Sequence, residues 1–335
     1  MFKTAMCFTD IHYGKSSNSK THNEDCRDFI SWILEERIVH DAETCIFLGD
    51  WHDNRNQIHL DTLNHSLSDM ERLCAAFKDV YILVGNHDLF YRDKRDVSSV
   101  AIGRNLPNLH LISEPTMIDD TLLCPWLVGD EWKSIRKTSA RYVFGHFELP
   151  NFLLNAGVAM PDHGGLNLDH LAGPEYVFSG HFHKRQQLVN IHYIGNCFPH
   201  NFADSGDDER GYMLLRHGGT PEYHNWKDCP KYRATTLTAL LDDPDKFLMP
   251  KTTVRVTVDV PITFEEAQLI RETFQNDYKA RKVDFLPQTQ EENHTFTDNV
   301  VFQSVDQIVI VGIGEIDTAK MDKQKLLEIY NSLHV

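Results

Sequence analysis

Short apolar runs, each stopped by a small residue and then a polar side chain, alternate with amphipathic stretches through the first two thirds of the chain. Residues 5–9 are mostly apolar and end at Asp10. Phe29, Ile30, Ile33, Leu34 and Ile38 then recur at helical spacing, which predicts a helix from about Asn23 with that asparagine as its cap. Residues 45–48 form the next apolar run, stopped by Gly49 and Asp50. A second amphipathic helix carries Leu60, Leu63, Leu67, Met70, Leu73, Cys74 and Phe77, and residues 80–84 predict a third strand, stopped by Gly85 and Asn86. This β-α-β-α-β rhythm predicts a parallel sheet with crossover helices.

Further strands are predicted at 109–112, 122–124, 142–144, 176–178, 191–194 and 212–215. Their closer spacing after residue 105 predicts hairpins on a layered α/β core. A charged, turn-rich stretch at 242–250 marks a boundary. Beyond it, 254–260 reads as strand, 264–274 as helix, 305–311 as strand and 319–333 as helix. The predicted organisation is a catalytic domain over 1–235, a smaller α/β cap domain over 236–317 and a closing helical segment over 318–335.

Composition narrows the class. The 335 residues are 41% apolar, enough for globular domains, yet the uninterrupted apolar runs are only a few residues long, far below the ~20 needed to cross a bilayer. Lys3 arrives too early for a signal-peptide apolar core, so no membrane association and a cytoplasmic location are expected. Seven cysteines, scattered and without a C-x-x-C pair, predict buried thiols in a reducing compartment. A net charge of -16 opposes the approach of a polyanion, so a nucleic-acid partner would depend on local basic patches.

Nineteen histidines are numerous for this length, and their placement directs the chemistry. Five strand ends run into metal-competent side chains: Asp10 and His12, Gly49 and Asp50, Gly85 with Asn86 and His87, Gly145 with His146, and Gly180 with His181 and His183. Ligand sites in open α/β sheets lie at the carboxyl ends of strands, so these clusters are expected to converge. Two aspartates, one asparagine and four histidines form a mixed oxygen and nitrogen set that suits manganese, iron or zinc better than calcium or magnesium. Seven ligands exceed one tetrahedral ion and suit two ions bridged by a carboxylate. Extended backbone at Asp10-x-His12 and His181-x-His183 would send alternate side chains to one face. His22, His40, His65, His110 and His224 read as surface or packing residues.

The ordered blocks D-x-H, G-D, G-N-H-D, G-H and G-H-x-H resemble the calcineurin-like metallophosphoesterase superfamily over roughly residues 4–225. That resemblance implies a layered α/β/β/α sandwich, one ion held by Asp10, His12, Asp50 and His183, and a second held by Asp50, Asn86, His146 and His181. Tyr13-Gly14, Glu148, residues 193–199 and residues 208–211 look like the nuclease subunit of SbcCD-type DNA repair complexes, in the short form found in large tailed phages. The implied activity is a manganese-dependent DNA nuclease with 3′ to 5′ exonuclease and single-strand endonuclease action, carried as a homodimer on an SMC-like coiled-coil ATPase.

His87 would be the general acid at the leaving oxygen, and Asp53 would orient it. The second block places His52 where relatives carry an apolar residue, leaving His52 as a supporting or phosphate-contact candidate. Arg55, Arg92, Lys94, Arg95, Lys184 and Arg185 follow three of the blocks and are the candidate DNA contacts, with a further basic stretch at Lys133, Arg136, Lys137 and Arg141. Two other readings use the same chain: a stand-alone phosphatase or cyclic-nucleotide phosphodiesterase, and an idle scaffold that docks the ATPase. In the last helix, Leu326, Leu327, Ile329, Tyr330 and Leu333 form an apolar stripe that would be the ATPase-docking segment.

Overall fold

The computed structural model describes residues 1–154 and 158–287, together with Lys325. The elements predicted at 305–311 and 319–333, and the segment 318–335, lie outside the described residues, Lys325 apart. Residues Met1–Gln288 form one compact unit.

The first sheet is built on the apolar runs of the N-terminal half. Strands β1 (Thr4–Phe8), β2 (Thr44–Phe47), β3 (Asp79–Leu83) and β4 (Leu109–Ile112) pair in parallel in that order. β1 and β2 are almost wholly buried, because both of their faces are covered, and such strands read as continuous rather than alternating apolar runs. Four strands complete the next stretch of chain: β5 (Thr116–Ile118), β6 (Thr121–Cys124), β7 (Tyr142–His146) and β8 (Tyr176–Gly180). They are followed by β9 (Gln186–Leu188), β10 (Ile191–Tyr193), β11 (Gly211–Arg216) and β12 (Glu222–Asn225). β11 returns antiparallel to β1, with β12 outside it, giving the order β12-β11-β1-β2-β3-β4. The second sheet has the order β5-β6-β7-β8-β10-β9, with a parallel centre and an antiparallel strand at each edge. The edge strands β5, β9 and β12, which are short and partly exposed, carry no apolar run that would have announced them.

Strand alternation divides the core into layers. Ala5, Cys7, Ile46 and Leu48 from the first sheet meet Leu123, Phe144 and Phe178 from the second. On the opposite face of the first sheet, Met6, Phe8, Cys45 and Phe47 pack on Phe29, Ile30 and Ile33 of the helix Lys20–His40 and on Met70 and Leu73 of the helix Leu60–Ala76. The outer face of the second sheet is covered by turns and by short helices at Trp132–Ile135 and Leu168–Leu171, around Val143, Val177 and Tyr193. The layered sandwich is therefore present, with a thin helical layer on this side. All seven cysteines are free, and all but Cys74 are buried.

The first long helix starts at Lys20, ahead of the expected Asn23. Its cap is Ser19, whose side chain accepts from the His22 amide. Asn23 serves as a buried tie instead: its Oδ1 accepts from the Gly14 amide at 2.9 Å and its Nδ2 donates to Thr62 Oγ1 at 2.9 Å.

A third sheet comprises β13 (Lys231–Thr236), β14 (Thr252–Val258) and β15 (Lys282–Pro287), all parallel. It begins at Lys231, slightly before the predicted boundary. Its core of Val254, Val256 and Val283 packs with Leu237, Leu240 and Phe274. The helix Phe264–Asp277 opens with a reciprocal cap between Thr263 and Glu266. Arg281 fastens this sheet to the helix Lys20–His40, donating to both oxygens of the buried Asp25 carboxylate at 2.7 Å each. Lys251 adds a contact to Asp28 at 2.6 Å.

Removing a bidentate partner from a buried carboxylate leaves a charge that water cannot reach. Arg281→Ala is expected to lower the unfolding free energy of the full chain by about 1–3 kcal/mol, read as a reduced urea midpoint. An unchanged midpoint would show that the pair does not hold the third sheet.

Candidate metal centre

β1, β2, β3, β7 and β8 deliver their following residues to one edge of the sandwich. Asp10 and His12 follow β1, Asp50 follows β2, Asn86 and His87 follow β3, His146 ends β7, and His181 and His183 follow β8. The backbone there is not extended, as alternation had suggested. Asp10, His12, Asp50 and His181 have φ of 54°, 53°, 62° and 85°. The strands have already ended, and left-handed kinks turn these side chains inward. Non-glycine residues rarely adopt this conformation, and its cost is characteristic of sites held by their surroundings.

The glycines ahead of the ligands are needed for space. A Cβ on Gly85 would stand 2.2 Å from both the amide and Oδ1 of Asp50, and one on Gly49 would stand 2.4 Å from His146 Nδ1. A Cβ on Gly180 would meet Thr9 Oγ1 at 2.1 Å.

Asp10, Asp50 and His146 each have one atom fastened and another turned toward the centre. Asp10 Oδ2 accepts from Thr9 Oγ1 at 2.6 Å and from the His181 amide at 3.1 Å, while Asp10 Oδ1 is buried without a hydrogen-bond partner. Asp50 Oδ1 accepts from the His87 amide at 2.8 Å. Asp50 Oδ2 lies 3.8 Å from His12 Nε2 and 3.4 Å from His146 Nε2, between the two expected ligand sets. His146 Nδ1 sits 2.7 Å from the Leu48 carbonyl, which fixes the tautomer and directs Nε2 inward. Asn86 Oδ1 lies 2.9 Å from His146 Nε2 and 3.0 Å from His181 Nδ1. His12 Nε2 and His183 Nε2 are each 3.8 Å from Asp10 Oδ1. The seven predicted ligands thus fall into two groups that share Asp50.

The electrostatics match a cationic occupant. Burial works against ionisation of Asp10, but the imidazoles of His12 and His146 beside it hold its carboxyl down at about 2. Burial also disfavours protonated His12 and His146, yet the neighbouring carboxylates, Asp10 and Asp53 for the one and Asp50 for the other, raise both to about 9. His183 goes the other way, pushed down to about 3 by burial. Without an ion, protons on two imidazoles balance the buried aspartates, and a divalent cation would displace them. The orphaned Asp10 Oδ1 and His12 Nε2, together with this donor set, fit two divalent ions.

Asp53 has a different task from the expected one. Its carboxylate lies 3.3 Å from His12 Nδ1 and accepts from Lys15 Nζ at 2.9 Å, while its main-chain carbonyl faces His87 Nδ1 at 2.7 Å. The side chain therefore orients His12, and only the backbone orients His87. His52 is no phosphate contact. It is wholly buried, with Nδ1 on Ser99 Oγ and Nε2 on Ser66 Oγ, both at 2.9 Å, and burial pushes it down to about 3.

Of the candidate DNA contacts, Arg92, Lys94 and Lys184 are exposed, Lys94 lying 3.7 Å from Asp96 and over the Tyr91 ring, and Arg55 is half-buried. Arg95 is engaged in a two-pronged pair with Glu131 and donates to the Trp126 carbonyl at 2.6 Å. Arg185 donates to the Ile194 carbonyl and to Asn225 Oδ1, with its guanidinium over the Tyr223 ring. Both arginines brace loops and are not free for phosphate. In the second basic stretch, Lys133 pairs with Asp130 and Arg141 with Glu175.

Several residues at the centre have contacts that the sequence pattern did not specify. Asp88 accepts from the amides of Asp50, His52 and Gly85 at 2.9–3.0 Å, locking the second block to the third. Glu148 Oε1 lies 3.4 Å from His181 Nε2, and the Trp126 ring sits 5.1 Å from that of His181. His200 is buried against His12 and His183. Away from the centre, Glu36, His40 and His224 also gather their ligand atoms within 4.8 Å of one another.

The family described as calcineurin-like phosphoesterase matches residues 4–185, more than half of the chain. The chain belongs to the calcineurin-like phosphoesterase family. As a member it is a metal-dependent phosphoesterase. It is similar to exonuclease subunit 1 of Enterobacteria phage T4, at 29% identity over 215 residues, which cover 62% of this chain and 62% of that protein. Among solved structures, the Pseudomonas putida nuclease MPE is similar at 17% identity and a TM-score of 0.32, over 64% of this chain and 84% of that one. A dimetal phosphatase from Danio rerio is similar at 12% identity and a TM-score of 0.39, over 64% of this chain and 92% of that one. Among the described residues, no helix is long and apolar enough to cross a membrane.

Gly85→Ala in this phosphoesterase is expected to fold and yet lose bound divalent metal, because the added methyl displaces the Asp50 carboxylate. Elemental analysis of the purified variant against the parent checks this, and full metal content in the variant would refute the close-approach argument.

Proposed function

We propose that this phosphoesterase is a DNA nuclease: a manganese-dependent 3′ to 5′ exonuclease and single-strand endonuclease that works as a dimer with an SMC-like coiled-coil ATPase. In this reading residues 1–235 are the nuclease domain and 236–317 the cap, which takes β14 and β15 of the third sheet. The observation that carries it is the pairing of two ligand groups on Asp50 with a basic, aromatic loop at the same edge. That loop leaves the centre directly after Asp88. It exposes Phe90, Tyr91, Arg92 and Lys94, and its base is closed by the Phe90 amide donating to the Val97 carbonyl at 3.1 Å. Exposed aromatic rings offer stacking faces to bases, and the cations meet phosphates without reading sequence. On the other side, Trp126 and Trp132 line a cavity of about 140 Å³ together with His146 and Glu148, where an unpaired base would find an aromatic wall. The similarity to a phage exonuclease subunit supports the same reading.

Asp10, His12, Asp50 and His183 would hold one ion, and Asp50, Asn86, His146 and His181 the other. Bound there, a pair of divalent ions supplies an activated water and neutralises phosphate charge. The protein's own residues do the positioning. Asp50 is fixed by the His87 amide, so its free oxygen stays between the two groups. Asp53 and Leu48 set the tautomers of His12 and His146. His87 Nδ1–H donates to the Asp53 carbonyl at 2.7 Å, which leaves Nε2 as the nitrogen that, in the protonated ring, would deliver a proton to the leaving oxygen. Phe90, Tyr91, Arg92 and Lys94 would grip the strand.

His87→Ala should keep its metal content and lose about 10²–10⁴ in turnover, whereas Asp50→Ala should lose metal and activity together. Metal loss in the His87 variant would reverse its assignment as proton donor. With manganese, the parent protein should release nucleotides from end-labelled duplex DNA; turnover of a small aryl phosphodiester alone would indicate a stand-alone phosphodiesterase.

Replacing Arg92 and Lys94 together by alanine should weaken DNA binding and lower the salt slope of the binding constant by roughly one per lost phosphate contact, with small-ester turnover unchanged. An unaltered slope would remove this loop from the DNA interface.

A further inference from the structure

His200 lies fifteen or more residues past the last recognised block, on the loop between β10 and β11, and it is 3% exposed. Among the described residues neither ring nitrogen has a hydrogen-bond partner. The loop that carries it is rigidly held. Cys197 Sγ donates to the Thr9 carbonyl at 3.1 Å, next to Asp10, and the His200 amide donates to Asp204 Oδ2 at 2.8 Å. The buried Arg210 binds Asn196 Oδ1 at 2.6 Å and both oxygens of Asp207 at 2.6 and 2.9 Å. A side chain so firmly aimed, yet without a partner for either polar atom, loses solvation that nothing in the protein replaces.

The ring spacing indicates what the missing partner is. His12 and His183, expected on one ion, have ring centroids 5.3 Å apart, and His146 and His181, expected on the other, are also 5.3 Å apart. His200 stands 5.4 Å from His12 and 5.3 Å from His183, so the three rings form a nearly equilateral triangle. Imidazoles that share an ion at the usual metal–nitrogen distance of ~2.0–2.1 Å are spaced about this far apart. One nitrogen from each of the three lies within 4.8 Å of the others. His22 is equally close, at 5.3 Å from His200, but its Nε2 already faces the carbonyls of His12 and Ile11 at 3.0 and 3.3 Å.

We propose that His200 is a third imidazole donor to the ion held by Asp10, His12, Asp50 and His183. The proposal rests on the metal-centre reading above and adds a residue outside its blocks. It makes the two halves of the centre unequal: three imidazoles and two carboxylates on one side, and two imidazoles, an amide oxygen and the shared carboxylate on the other. Imidazole nitrogen favours zinc and cobalt over manganese more strongly than carboxylate oxygen does, so His200 would raise affinity at the first position and raise it most for those metals.

The test is calorimetric titration of the metal-free full-length chain with Mn²⁺ and separately with Co²⁺, in the parent, His200→Ala and His200→Gln. Loss of His200 should weaken one of the two binding events by roughly tenfold or more for Co²⁺, by less for Mn²⁺, and leave the other event unchanged. Equal affinities in parent and variants, with only a lower melting temperature of the metal-free protein, would make His200 a structural residue and overturn the proposal. Pulsed EPR of the Mn²⁺-loaded parent decides the matter even if the variants do not fold: couplings to three imidazoles at one ion are expected, and no more than two at either ion would refute it. If the parent binds no divalent ion at all, the metal-centre reading itself fails.

Discussion

A single buried carboxylate organises this protein. Asp50 has one oxygen held by the His87 amide and the other placed between His12 on one side and His146 on the other. A carboxylate taken out of water needs compensating positive charge, and the metal-free chain supplies only protonated imidazoles and the amides around them. His12 and His146 are both raised to about 9 against the effect of burial, each by the carboxylates beside it. The remainder of the centre consists of devices that keep this demand in place: Asp88 collecting three amides, Leu48 and Asp53 orienting two imidazoles, and glycines where a methyl would collide.

The fold makes such an arrangement possible by ending strands from both sheets at one edge. Apolar burial on both faces of β1 and β2 fixes their direction and register, so the residues just beyond them have little freedom. The positive φ angles at Asp10, His12, Asp50 and His181 show where the chain leaves regular pairing to bring side chains inward. Strain at four ligand positions is tolerated because sheet pairing and the packed layers on either side over-determine the backbone.

Much of this was legible in the sequence, because buried parallel strands read as apolar runs and the residues that stop them are the ligands. The α/β order, the positions of the predicted strands that fall among the described residues, to within two residues, and the seven converging side chains follow from that pattern, whereas β13 and β15 of the third sheet did not show in it. What was not legible shares a physical cause: it depends on partners distant in sequence. His52 looks like a site residue until Ser66 and Ser99 close on it. Arg95 and Arg185 look like free cations beside the site until Glu131, Asn225 and two carbonyls take them up. Asp53 reads as the partner of His87, but its carboxylate is drawn to His12 and Lys15. His200 has no strand signal and no motif, and its place beside His12 is set by Arg210 and Asp204 through the loop they brace. The short edge strands have too few buried positions to leave a pattern.

Asp50 stands between two sites built for cations. The measurement that addresses this most directly is anomalous diffraction from crystals of the protein grown with Mn²⁺, collected on either side of the manganese absorption edge. Two anomalous peaks about 3.5–4 Å apart, one on each side of Asp50 Oδ2, are the predicted result. No peak at this edge, or a single peak that leaves Asn86, His146 and His181 unoccupied, would contradict the account.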